Sequence, residues 1–139
     1  MARSRRRIQA PPQRLILDSG AVIALSRNDH RARAVLTAAR EAGVEVSIPA
    51  VVVTETVRGA ADDAPVNRVL KAVGEIDVAD GSTGRKAGAL LGAAESDATV
   101  DALVVATAVH ARGAVILTGD PADLTALGEG HPEVIVEPL

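Results

Sequence analysis

Apolar runs of strand length alternate along this chain with segments of helical character, and that alternation leaves few folds open. Leu15–Leu17, Val44–Ile48, Glu75–Val78, Val115–Leu117 and Val134–Val136 read as strands. Helices are expected over Ala21–Leu25, Arg31–Ala42, Val66–Val73, Ser82–Ala94 and Thr99–Ala111, with a short one from Asp120-Pro121 to about Leu127. Gly43 suits the C-terminal end of the second of these, and Arg112-Gly113 ends another. Val51–Val57 is ambiguous. Its β-branched residues favour a strand, but Pro49 fits the first turn of a helix and Arg58-Gly59 ends one, so a helix is expected. Strands alternating with helices predict an α/β domain with a largely parallel sheet and right-handed crossovers.

The 139 residues suit one domain. Apolar residues make up 47% of the chain, with no Phe, Trp or Tyr, so the core must be built from Val, Leu, Ile and Ala. Cysteine is absent, which excludes disulfides, thiolate metal sites and a cysteine nucleophile. No apolar run reaches the roughly 18 residues that span a bilayer. Arg3, Arg5, Arg6 and Arg7 are followed by Gln9, Pro11, Pro12 and Gln13 instead of an apolar stretch, so a cytoplasmic protein is expected, not a secreted one. Residues 1–14 hold five arginines and no acid, while residues 15–139 hold ten basic and 18 acidic residues. A basic flexible arm over 1–14 ahead of an acidic folded domain over 15–139 is the expected organisation. The arm reads either as a solvated tail or as an electrostatic grip on a polyanion such as RNA.

Four acids stand inside or at the ends of the most apolar segments. They are Asp18 after Leu-Ile-Leu, Glu55 in Val-Val-Val-Thr-Glu-Thr-Val, Asp101 before Ala-Leu-Val-Val-Ala, and Asp120 after Val-Ile-Leu-Thr-Gly. Asp18 directly follows one strand and Asp120 closely follows another, so a parallel sheet puts both at its carboxyl edge, where ligands bind in such folds. Asp101 is expected near a helix start, and Glu55 on a helix entered from the strand around Ser47. Two carboxylates about 4 Å apart repel by roughly 4 kcal/mol at an effective dielectric near 20. A hard divalent cation, Mg²⁺ or Mn²⁺, is the natural neutraliser. Each acid also has a structural alternative. Asp18 and Asp120 can cap helices, Asp123 can support the second cap, and Glu55 can pair with Arg58. Asp97 shares a face with Asp101 if that helix reaches back far enough; otherwise Asp97 or Thr99 is a cap.

Asp18-Ser19-Gly20, Glu55 in Val-Thr-Glu-Thr-Val, Asp101-Ala102-Leu103 leading into Val-Ala-Thr-Ala, and Thr118-Gly119-Asp120 resemble the motifs of the PIN-domain ribonucleases, in particular the VapC toxins of bacterial toxin–antitoxin pairs. The resemblance covers roughly residues 15–128 and lies in the order and spacing of the four motifs. It implies a Rossmann-like three-layer α/β/α fold with a central, mostly parallel sheet of four to five strands. It implies Mg²⁺ or Mn²⁺ held by Asp18, Glu55, Asp101 and Asp120, with Ser19 and Thr118 orienting the carboxylates or a water, and Asp97 and Asp123 as possible additions. Endonucleolytic cleavage of RNA, a homodimer and a cognate antitoxin partner are implied as well. A catalytically inactive RNA- or protein-binding module and a housekeeping RNA-processing nuclease are the competing readings. One departure is Leu124, where the family often has an aromatic. Without aromatics, RNA recognition would rest on arginine–phosphate contacts, backbone groups and shape. His30, His110 and His131 show no ligand spacing.

Overall fold

The computed structural model describes residues 14–139. The basic arm lies outside them except for Arg14, which is the first residue of strand β1. The strands are β1 (Arg14–Leu17), β2 (Glu45–Pro49), β3 (Ile76–Asp77), β4 (Ala114–Thr118) and β5 (Val134–Pro138). They form one sheet of order β3-β2-β1-β4-β5 in which every pair is parallel. The helices are α1 (Ser19–Ser26), α2 (His30–Glu41), α3 (Ala50–Thr56), α4 (Ala64–Val73), α5 (Gly81–Ala94), α6 (Thr99–His110) and α7 (Pro121–Leu127), with a 3₁₀ turn at Ala61–Asp63 ahead of α4.

Leu15, Ile16 and Leu17 are all buried, as expected of a central strand covered on both faces. Helices α1, α2 and α4 form one layer, with α2 and α4 on β2. Helices α5, α6 and α7 form the other, with α6 on β4 and β5 and α7 on β5. Small and β-branched residues let the second layer pack closely: Ala102, Val104, Val105, Ala106 and Ala108 of α6 are all buried. Helix α3 contacts α1, α6 and β2, so it ties the layers together at one edge.

Local chemistry sets the ends of these elements. Asp29 caps α2 by accepting the Ala32 N–H at 2.9 Å, and Asp80 caps α5 by accepting the Thr83 N–H at 2.9 Å. Residues 50–56 are helical despite their β-branched side chains. Thr54 and Thr56 donate their hydroxyls back to Ala50 O and Val52 O within the helix, and Val52 is buried beneath it. Three boundaries differ from expectation. Pro49 ends β2 in an extended conformation (φ −63°, ψ 145°) instead of opening the helical turn. Helix α1 starts at Ser19, immediately after Asp18. The strand expected over Glu75–Val78 is confined to Ile76–Asp77, and Val78 is 78% exposed.

The strand order reverses at β1. Strands β2 and β3 continue to one side, β4 and β5 to the other. This is the topological switch point at which open parallel sheets form their ligand crevice, beyond the carboxyl ends of the strands. Among the described residues no helix is long and apolar enough to cross a membrane.

Candidate active site

The residues just past β1 and β4 meet at the switch point. Leu17 and Leu117 pair in register, and the Asp18 N–H continues the ladder by donating to Leu117 O at 3.0 Å. The buried Thr118 hydroxyl donates to Asp18 Oδ2 at 2.9 Å and accepts the Asp120 N–H at 3.0 Å. One hydroxyl thus ties two acids from opposite ends of the chain. Glycine makes this approach possible. A Cβ on Gly20 would meet Gly119 N at 2.8 Å and its Cα at 3.1 Å, closer than side chains sit.

Asp18 is 5% exposed, and its Oδ1 is buried with no hydrogen-bond partner. A buried carboxylate oxygen without a donor is costly. The surroundings make it more so. Burial, then the neighbouring charges of Asp18, Asp123, Glu55 and Asp120, push the Asp101 carboxyl up to about 6. Burial and the charge of Asp18 also raise Glu55, while the Ser19 hydroxyl beside it works in the opposite direction. Asp18, Ser19, Glu55, Asp101, Thr118, Asp120 and Asp123 therefore share one edge of the molecule.

The structural alternatives fare poorly. Asp18 and Asp120 occupy N-cap positions of α1 and α7, yet neither side chain makes a capping hydrogen bond. Glu55 makes no ion pair with Arg58 among the described residues. Asp97 is the exception to the convergence. Helix α6 begins at Thr99, so Asp97 lies outside it and shares no helical face with Asp101. Its backbone carbonyl accepts from Thr99, and it is not among the charges acting on Asp101.

Among the described residues, no three acidic or histidine side chains are arranged to enclose an ion by themselves. A hard cation such as Mg²⁺ completes its shell with water, so the acids need not enclose it on their own. The unpartnered Asp18 Oδ1 and the mutual repulsion of its neighbours fit such an ion. Two features escaped the sequence reading. The Gly20–Gly119 contact was visible only as a glycine beside each acidic motif. The buried Asp63 carboxylate had no signal beyond an Asp-Asp pair in a polar stretch.

Fold and site together define a switch-point α/β domain with a carboxylate cluster at the carboxyl edge of its sheet. The chain belongs to the PIN domain family, whose model matches residues 15–128. Among curated proteins, none matches it in sequence. Solved structures of the same fold include a toxin–antitoxin complex from Klebsiella pneumoniae (22% identity, 87% of this chain and 95% of that one, TM-score 0.66). A second is VapBC2 from Rickettsia felis bound to a DNA fragment from its promoter (13% identity, 91% and 98%, TM-score 0.70). A third is DNA-bound VapBC from Salmonella typhimurium (16% identity, 90% and 97%, TM-score 0.60).

Proposed function

We propose that this protein is a metal-dependent endoribonuclease, the toxin half of a toxin–antitoxin pair acting in the cytoplasm. The observation that carries the nuclease reading is the buried, unpartnered Asp18 Oδ1 in the midst of further carboxylates. A domain with only a binding task has no reason to keep such charges together. Membership of the PIN domain family supports the same reading. Similarity in fold to toxin–antitoxin complexes supports an antitoxin as partner; a homodimer is part of the same proposal.

In this reading Asp18, Asp101 and Asp120 hold Mg²⁺ or Mn²⁺, and Glu55 holds it directly or through water. When bound, the cation supplies an acidified water and a counter-charge for the phosphoryl oxygens of RNA. The chain's own residues prepare the place. Thr118 occupies Asp18 Oδ2 and so commits Oδ1 to the ligand. By accepting the Asp120 N–H, the same hydroxyl fixes the backbone from which Asp120 projects. Ser19 favours the ionised form of Glu55, and Asp123 adds to the field that draws the cation in.

The test is cleavage of structured and single-stranded RNA with and without Mg²⁺ or Mn²⁺. Cleavage should need the metal and should disappear in Asp18→Asn and in Asp101→Asn, with both variants folded by circular dichroism. Full metal-dependent activity in either variant overturns the assignment.

A further inference from the structure

A polyanion bound by this edge has to approach a crowd of carboxylates, and the chain has no Phe, Tyr or Trp to stack its bases. Holding it falls to cations at the rim. Arg58 is placed for that task. It follows Val57, the C-cap of α3, and α3 is the helix that brings Glu55 up to Asp18 and Ser19. Its Nη1 donates to Thr54 O at 3.1 Å and to Val57 O at 2.8 Å, so the guanidinium lies against the last turn of that helix, on either side of Glu55 in sequence. It is exposed, and it makes no ion pair among the described residues. Arg14 is taken up by Glu45 and Asp77, and Arg31 by Glu137; of the several described cations without an ion pair, Arg58 is the one at the end of α3.

The turn that carries Arg58 is built around a buried carboxylate. Asp63 accepts the N–H groups of Arg58 (3.1 Å to Oδ1, 2.9 Å to Oδ2), Gly59 (2.7 Å) and Ala60 (3.1 Å). Gly59 supplies the left-handed residue that the turn needs (φ +78°). Asp63 occupies the N-cap position of α4 but makes no capping bond to that helix. Its carboxylate is turned back onto the 58–60 segment instead. The result is an arginine held in one place by carbonyls and a fixed backbone; its charge is felt by Asp63, and its exposed side is open to an incoming anion.

We infer that Arg58 binds a backbone phosphate of the RNA next to the acidic cluster, and that Asp63 is the positioning residue that sets it there. The inference rests on the nuclease reading. The ligand class is the phosphodiester chain irrespective of base.

Binding is measured by fluorescence anisotropy of a labelled single-stranded RNA of mixed sequence over a salt series, in the Asp18→Asn background. Arg58→Ala should weaken binding by roughly tenfold at low salt and flatten the log–log salt slope by about 0.7, the contribution of one single-strand phosphate contact. Arg58→Lys should keep the slope with intermediate affinity, because it retains a point charge without the planar fork. Asp63→Asn should behave like a weaker Arg58→Ala. In the cleavage-competent protein Arg58→Ala should raise KM and leave kcat within about twofold. An Arg58→Ala protein with unchanged melting, affinity and slope overturns the inference. If the parent protein cleaves RNA while Arg58→Ala is indistinguishable from it, only this inference falls. If the parent neither cuts nor binds RNA, the nuclease reading falls with it. Should Asp63→Asn not fold, the two exposed Arg58 variants decide the matter.

Discussion

Gly20 and Gly119 face each other at the site but do not carry equal constraint. A methyl on Gly20 collides with backbone atoms at 2.8 and 3.1 Å, whereas one on Gly119 meets Gly20 Cα and Leu139 Cδ1 at ordinary distances of 3.7 and 3.8 Å. Gly20→Ala should therefore cost about 1–3 kcal/mol as an overpacking change, and Gly119→Ala should stay within about 0.5 kcal/mol of the parent in urea unfolding. Equal costs would contradict the close approach. Asp101 gives a pH signature. Its carboxyl sits at about 6 in the folded chain against an ordinary 3.8, so the folded state holds the proton more tightly. In cation-free protein its stabilising contribution is complete below the unfolded pKa and is lost as pH rises through the folded one. Asp63 and Asp80, both lowered by backbone N–H donors, run the other way and lose their contribution as pH falls. A cation needs Asp101 ionised, so the melting shift produced by Mn²⁺ should be larger at pH 7 than at pH 5. Equal shifts at the two pH values would remove Asp101 from the ligand set. The acids were legible in sequence because a carboxylate in an apolar run is conspicuous. The glycine contact was not, because two backbones meeting across strands leave no local pattern.

At the scale of elements, most helices were legible from their punctuation, such as Gly43 (φ +76°) just past α2 and Gly113 (φ +121°) just past α6. Strand β3 was overread for a reason in its partner. It pairs only through Ile48↔Ile76 and Pro49↔Asp77, and beyond Pro49 the chain turns into α3, so Val78 has no strand to join. Helix α5 runs against its own propensity. Gly84, Gly88 and Gly92 lie in its interior on exposed positions, and a Cβ at any of them would touch nothing within 4 Å. Gly88→Ala should then raise stability by about 0.5–1 kcal/mol, read from thermal and urea melts of the isolated protein. A loss of stability instead would mean that something packs closely on that face.

For the whole molecule, alternating strands and helices foretold a parallel sheet but not the order of its strands. That order depends on which crossovers pack best, a property of the assembled layers and not of any segment. It is the order that matters for function, since placing β1 beside β4 creates the crevice. A cation bound there links to folding, so the melting temperature should rise with Mn²⁺ as its stabilisation grows with RT ln(1 + [L]/Kd). Asp18→Asn should abolish most of that rise. No shift in the parent at millimolar Mn²⁺ would count against a metal centre. The hydrogen bond from Thr118 to Asp18 spans 100 residues of chain. Synthesis runs from the N-terminus, so Asp18, Glu55 and Asp101 all leave the ribosome before the strand that completes their site. A chain stopped short of Ala114 has three of the four acids and no crevice to hold them in. For the nuclease proposed here, competence arrives only once β4 and Asp120 have emerged, and until then the message and ribosome that make the protein are spared.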